Sequence, residues 1–244
     1  MLRALRDWLA GRREAPASKW QALQAWCAER ELAFEAREGG ESFTVAGRVG
    51  PTGWRLDWGR PQRLYVRGRG ELLLRCDLRL APELHLLVLD RPLQRRLERA
   101  VLDQIAGTDD GRVDPDMPPE MRWLVTFPRL DTAQAGWPDG FEAVASHPEW
   151  LLAWTSGPLE RALSGEPVQG RTPWVLSVGG GRLELRAGLD GPDPQALAEW
   201  IGFFECALRE ARRVQAERAD AGDPTTLPGM WAVPRDEHEH DGRP

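Results

Sequence analysis

The chain has 244 residues, of which 41% are hydrophobic and 29% are charged. This composition is typical of soluble globular proteins and excludes a disordered or fibrous chain. The length suffices for one large domain or two small ones, either of which can bury a hydrophobic core.

Charge is distributed unevenly along the chain, whose formal net charge is −6. Residues 1–106 contain 19 Lys and Arg against 14 Asp and Glu, whereas residues 107–244 contain 13 against 24. Such asymmetry indicates a basic binding face or an acidic tail. Docking of the acidic half onto the basic half is a third explanation, because contacts between domains of one chain are often polar.

Two short helices are predicted at the N-terminus. Residues 2–10 place Leu2, Leu5 and Leu9 on one face of the first helix, and Ser18 is the predicted N-cap of a second helix over residues 18–30. The arginines and apolar face of residues 1–13 also suit peripheral contact with a membrane surface, although packing on the protein body is the favoured interpretation.

The hydrophobic period changes from 3.6 to two between residues 31 and 90. This alternation, interrupted by Gly and Pro turns, predicts about six antiparallel strands. One of these strands is expected at Leu64 and Val66, before a longer one that reaches Leu80. Asp90 and Pro92 then mark the start of an amphipathic helix over residues 92–106.

Residues 107–119 are rich in Gly, Pro and Asp and predict a linker between two units. Beyond it the pattern predicts strands, short helices, a hairpin and a long C-terminal helix, in the following places: a strand through Met121, Trp123, Val125 and Phe127; a strand over residues 141–145; helices near residues 148–154 and 159–163; a hairpin over residues 174–187; and a helix over residues 194–218. The acidic residues 219–244 are expected to form a flexible, disordered tail.

The predicted fold is therefore α+β, with two tandem units at residues 1–106 and 120–218. Each unit is expected to hold an antiparallel sheet followed by a covering amphipathic helix. Both units end with two strands and a helix in the same order, which is compatible with an internal duplication or with shared architecture alone.

The candidate binding site is an arginine-bearing face of the first sheet. Odd-numbered residues between positions 63 and 79 share one side of the predicted strands, opposite the apolar even-numbered ones. The candidate residues of this face are Arg63, Tyr65, Arg67, Arg69, Arg75 and Arg79, and Arg48 and Arg55 are expected beside them. This face predicts binding of an acidic protein segment, with nucleic acid or another anion as the less favoured ligand and a merely solvated surface as the alternative.

A second candidate is Trp231, which lies in a Pro-flanked apolar segment of the acidic tail. The segment suits either a peptide that docks on a partner or a strap that folds back on the body. The sequence does not discriminate between these two roles.

Catalytic and metal-binding motifs are absent from the sequence. It contains no G-x-S-x-G, H-E-x-x-H, P-loop or G-x-G-x-x-G pattern, and its three cysteines form no C-x-x-C pair. We expect no cofactor and no metal site, because His238 and His240 lie in the predicted flexible tail. With no apolar stretch of about 18 residues and no secretory leader, the prediction is a cytoplasmic, non-enzymatic interaction or adaptor protein; an enzyme with an unrecognised site ranks third.

Overall fold

The computed structural model describes residues 19–37, 40–66, 70–107, 117–133, 135–170 and 172–220. The predicted helix at residues 2–10, most of the predicted linker and the tail beyond residue 220 lie outside these ranges. Predictions about membrane contact through residues 1–13, about a disordered tail and about Trp231 therefore concern residues outside the described part of the chain.

The described chain forms six α-helices and eight β-strands. The helices are α1 (Gln21–Glu29), α2 (Arg91–Ala106), α3 (Pro119–Thr126), α4 (Pro148–Thr155), α5 (Pro158–Leu163) and α6 (Pro194–Asp220). The strands are β1 (Ala33–Ala36), β2 (Phe43–Val49), β3 (Thr52–Gly59), β4 (Glu71–Asp77), β5 (Leu86–Asp90), β6 (Phe141–Ala145), β7 (Trp174–Gly179) and β8 (Arg182–Gly188).

All eight strands belong to one sheet of order β1-β2-β3-β4-β8-β7-β5-β6, in which each pairing is antiparallel. The α+β class and the antiparallel pairing are thus confirmed. The tandem arrangement of two sheets is not confirmed, because the β7–β8 hairpin from the second half lies between β4 and β5 of the first half. The proposed internal repeat would match β4–β5 with this hairpin, yet β4 and β5 are not neighbours.

One face of the sheet carries the large hydrophobic core under α1, α4, α5 and α6. Even-numbered residues of β4 point into this core, and Leu72 and Leu74 are fully buried as predicted. Trp150, Trp154 and Trp174 are the largest completely buried side chains. At about 25 cal/mol per Å² of apolar surface, such residues supply much of the free energy that stabilises the fold.

The long helix α6 lies across this core because its apolar stripe is continuous. Phe204, Ala207, Leu208 and Ala211 have no solvent exposure. The helix is also tied to β3, since the Trp54 indole Nε1 donates a hydrogen bond of 3.0 Å to a Glu205 carboxylate oxygen.

The opposite face carries a smaller hydrophobic cluster over β5, β6 and β7. Leu87, Leu89 and Val175 of these strands pack there against Leu93 and Leu97 of α2, and residues of α3 complete the cluster. Helix α2 begins as predicted, because the Asp90 carboxylate accepts a hydrogen bond of 2.7 Å from the Leu93 N–H.

Two short segments differ from their predicted conformation. Leu64–Val66 is a single 3₁₀ turn instead of a strand, and Pro119–Thr126 is helix α3 where a strand was expected. Pro at the first turn favours a helix start, and Glu120 and Leu124, which are four residues apart, are the buried positions of α3. Over so few residues, periods of two and 3.6 fit the same apolar positions.

No helix in the described ranges is long and apolar enough to cross a membrane.

Candidate functional site

A polar, partly open surface occupies the side of the sheet opposite the large core. Helices α2 and α3 pack over β5 and β6 on this side, whereas β3 and β4 present exposed arginines. The strand register places Arg55 directly opposite Arg75, and Asp57 opposite Leu73. The sheet pairing therefore brings charged residues that are distant in sequence into one patch.

Asp57 lies at the centre of a group that we call the Asp57 cluster, comprising Arg37, Thr44, Arg55, Asp57 and Arg75. The Arg37 Nη2 lies 2.9 Å from Asp57 Oδ1, and the Arg75 Nη2 lies 3.2 Å from Oδ2. Arg55 donates through both Nε and Nη2, and the Thr44 hydroxyl donates over 3.1 Å. Three guanidinium groups thus share one carboxylate, which leaves two positive charges uncompensated within the cluster.

The cluster determines the ionisation of Asp57. Partial burial favours the neutral acid, but hydrogen bonds from Arg55 and Thr44 and the charges of Arg55 and Arg75 outweigh it, so that the pKa of the Asp57 carboxyl is lowered. The carboxylate is 20% exposed, whereas the side chains of Arg37, Arg55 and Arg75 are 55%, 45% and 45% exposed. The anion at the centre is shielded while the surrounding cations reach solvent.

A cleft of about 430 Å³ adjoins this cluster. Its walls carry four arginines, three carboxylates and the edge of one tryptophan, namely Arg37, Arg60, Arg75, Arg186, Glu41, Asp57, Glu71 and Trp58. The cleft is polar and partly open, which suits a charged segment lying along the surface better than an apolar ligand.

One end of the cleft is fixed by a buried ion pair between Glu71 and Arg186. The Arg186 Nη1 lies 2.7 Å from Glu71 Oε1, and the two side chains are 11% and 3% exposed. The other Glu71 oxygen accepts hydrogen bonds from the backbone N–H groups of Gln62 and Arg63. Glu71 therefore anchors the 3₁₀ segment against β4 and β8.

Arg63 and Tyr65 are held on this segment by a second buried carboxylate. The Arg63 Nε donates to Glu120 Oε1 over 2.6 Å, and the Tyr65 hydroxyl donates to the same oxygen over 3.1 Å. Burial and the nearby Glu120 charge raise the pKa of Tyr65. Because Glu120 belongs to the acidic half and Arg63 to the basic half, this pair is one point where the two halves attract each other.

The candidate arginine face is thus divided among several environments. Arg75 lies in the Asp57 cluster, Arg63 and Tyr65 lie in the Glu120 network, and Arg79 is exposed in the loop after β4. Arg67, Arg69 and Trp231 lie outside the described residues. Tyr65 was expected on the arginine-bearing face, but it is only partly exposed and packs against the smaller hydrophobic cluster.

Sequence reasoning missed three members of the cluster, namely Arg37, Thr44 and Asp57. Arg37 follows the short edge strand β1 and reaches Asp57 only through the β1–β2–β3 pairing. Asp57 was not among the candidate residues, although it is the acceptor shared by the three arginines. The indication in the sequence was that Asp57 lies two residues after Arg55 and therefore on the same face of its strand.

The three cysteines show no activated thiol. Burial raises the pKa of Cys27 to about 11 and that of Cys76 to about 12, and it also raises the pKa of the half-buried Cys206. A raised pKa lowers the thiolate fraction and with it the nucleophilicity. In the part of the chain that the structure describes, no group of three or more His, Cys, Asp and Glu side chains has the arrangement of a metal site.

Comparisons with known proteins give only distant structural similarity. No protein-family model matches the chain, and no curated protein matches it. The crystal structure of the mycobacterial trehalose monomycolate transport factor A, TtfA, aligns with a TM-score of 0.45 and 6% sequence identity, over 82% of this chain and 97% of that chain. A similarity of this size assigns neither a family nor a function.

Proposed function

We propose that this protein is a non-enzymatic interaction module that docks an acidic segment of a partner protein on the Asp57 cluster. The observation that supports this proposal is the convergence of the half-exposed Arg37, Arg55 and Arg75 on one carboxylate at a partly open sheet face.

The chemistry of the guanidinium group favours a carboxylate-bearing ligand. Each arginine carries five N–H donors in a planar fork, and Asp57 has only two oxygens to accept them. The remaining donors are available to carboxylates of a partner, which they bind in bidentate, charge-assisted geometry. Asp57 orients the three guanidinium groups before a ligand binds, so that less side-chain entropy is lost on binding.

Nucleic acid remains the less favoured ligand for the same face. Tyr65 is a poor stacking surface, because it is only partly exposed, its hydroxyl is bound to Glu120 and its ring packs against the smaller hydrophobic cluster. Single-stranded nucleic acid is bound through a basic groove combined with exposed aromatic rings. An acidic peptide needs the arginines alone.

The proposal is tested by charge reversal with a matched control. The variant Arg37→Glu/Arg75→Glu reverses two cations of the cluster, and Arg95→Glu/Arg99→Glu makes the same charge change at exposed positions of α2. Affinity capture with mass spectrometry should lose an acidic partner in the first variant only. Affinity for the purified partner should fall about tenfold or more and should weaken with salt.

Equal recovery of the same partners by wild type and both variants would contradict the proposal. Co-purified nucleic acid, detected as a raised 260/280 absorbance ratio that both high salt and Arg37→Glu/Arg75→Glu abolish, would instead establish the alternative ligand.

The Trp231 segment is proposed as a second docking element, and deletion after Ala221 tests it independently of the Asp57 cluster. Loss of a captured partner in the deletion variant would assign the segment to docking, whereas a lower Tm with unchanged partners would assign it to a strap. The three unpaired cysteines also support our proposal that the protein works in the cytoplasm.

A further inference from the structure

A second polar concavity lies on the same side of the sheet, between α3, the β7–β8 hairpin and the residue that precedes β5. It has a volume of about 270 Å³. Its walls include Arg122 and Trp123 of α3, Ser177 and Gly179 of β7, Arg186 of β8, and His85. No residue of the Asp57 cluster lines it, so it is a separate feature of the surface.

Arg122 is the unusual member of this pocket. Its Nε is screened from solvent and has no hydrogen-bond acceptor among the residues that the structure describes. A buried donor without an acceptor costs about 1–3 kcal/mol, and folded proteins retain few such groups. The described chain therefore supplies no acceptor for this nitrogen.

The other charges around the pocket are already compensated. Arg63 pairs with Glu120, and Arg186 pairs with Glu71 and Glu184. The ion pairs of the described chain include none with Arg122. Arg122 is therefore the arginine of the pocket wall that makes no ion pair among the described residues, and its Nε also lacks an acceptor. The carboxylates of Glu120 and Glu184 also line the pocket, each paired with its own arginine.

The remaining walls are rigid and combine a hydroxyl group with aromatic surface. The Trp123 indole packs so closely on Gly179 that a Cβ there would lie 2.3 Å from the ring. The His85 ring lies with its centroid 4.9 Å from that of Trp123 and 5.3 Å from that of Phe127. Its Nδ1 donates to the Glu83 carbonyl over 2.7 Å, which fixes the ring orientation.

We propose that this pocket binds a small organic anion whose carboxylate or phosphate group is held by the Arg122 guanidinium. The fork of Arg122 matches both oxyanions, and the Ser177 hydroxyl in the wall can supply a further donor. The volume is near the lower end of ligand pockets, so the ligand is a small molecule instead of a peptide. The site does not depend on the docking of an acidic protein at the Asp57 cluster.

The test compares anion-dependent stability in wild type and Arg122→Met, which keeps the aliphatic stem and removes the guanidinium. The probes are inorganic phosphate and succinate, with sodium chloride at equal ionic strength as reference. Arg95→Met, at an exposed position of α2 outside the pocket walls, is the matched control. At about ten times the Kd, the wild type and Arg95→Met should gain about 3–5 °C in Tm.

Arg122→Met should lose this gain while its Tm without added anion stays equal to that of the wild type or rises, because an unsatisfied donor has been removed. The more effective of phosphate and succinate identifies the ligand class. The indole N–H resonance of Trp123 should shift on anion addition in the wild type and not in Arg122→Met.

Two results would overturn the proposal. One is an equal gain, or no gain, in all three proteins, since phosphate also stabilises proteins nonspecifically. The other is a lower Tm of Arg122→Met without any anion, which would show that the guanidinium serves the fold itself. Neither result bears on capture of partners by the Asp57 cluster, so failure of the two proposals is distinguishable.

Discussion

Ionisable residues on the polar side of the sheet differ sharply in whether their charges and hydrogen-bonding groups have partners. Asp57 has more donors than it can use, Glu71 is fully paired in the interior, and Arg122 has a buried Nε without an acceptor. The first two stabilise neighbouring segments, whereas the third lines the pocket that we propose as an anion-binding site. Net charge alone would not distinguish these three cases.

Asp57→Asn should destabilise the protein in a pH-dependent manner. Because the pKa of Asp57 is lowered in the folded state, its carboxylate adds stability above the pKa of the unfolded chain, and this contribution is lost as pH falls through the lowered value. We expect a loss of about 1 kcal/mol at pH 7, since the arginine partners are half-exposed and screened. The loss should vanish in strong acid.

Urea unfolding from pH 7 down to pH 2 measures this difference. Asp103→Asn, at an exposed position of α2, is the control and should change stability little at any pH. A pH-independent loss for Asp57→Asn would show that packing, and not charge, is responsible.

At the scale of elements, helices and strands with a regular hydrophobic period were predicted well, and the segments that connect them were not. Helices α2 and α6 and the β7–β8 hairpin appear close to their predicted bounds, because long amphipathic stripes and a Gly-Gly turn are local properties. Gly180 and Gly181 have positive φ angles of 55° and 75°, which other residues adopt at a cost. The 3₁₀ turn at Leu64–Val66 instead depends on Glu71, which lies on another element.

Glu71→Gln tests how strongly this carboxylate holds the elements together. The substitution leaves the Arg186 guanidinium buried without its main counterion and weakens the anchor of the 3₁₀ segment. We expect the free energy of unfolding to fall by about 3–5 kcal/mol.

The double variant Glu71→Gln/Arg186→Met should recover part of that loss, because the unpaired charge is removed as well. Urea unfolding of the two single variants and the double variant measures the coupling. Strict additivity of the two single losses would contradict a direct interaction.

At the scale of the whole molecule, the two halves of the sequence are interleaved. The β7–β8 hairpin pairs with β4 on one side and β5 on the other, and α6 covers the core of strands from both halves. Cross-half contacts such as Trp54 with Glu205 and Arg63 with Glu120 add to this connection. Ion pairs between the halves place the arginine in the first half twice and in the second half twice, so the connection does not rest on the opposite net charges of the halves.

A fragment of residues 1–106 should therefore not fold alone. Without the hairpin, β4 and β5 would each lose a neighbouring strand, and without α6 the apolar side of the sheet would be uncovered. Far-UV circular dichroism and a ¹H–¹⁵N correlation spectrum check this expectation. A dispersed native-like spectrum of the fragment would instead support two tandem domains.

By itself the sequence determined the α+β class, the antiparallel strands, most helix bounds and the apolar side of β4, since each follows from periodicity within a short window. It also indicated Arg55 and Arg75 as neighbours on one face. The tertiary structure alone decided the strand order, the hydrogen bond between Arg37 and Asp57, and the burial of the Arg122 Nε without an acceptor. These features depend on which distant segments pair. Such pairing does not produce a periodic pattern of residues within a short stretch of sequence.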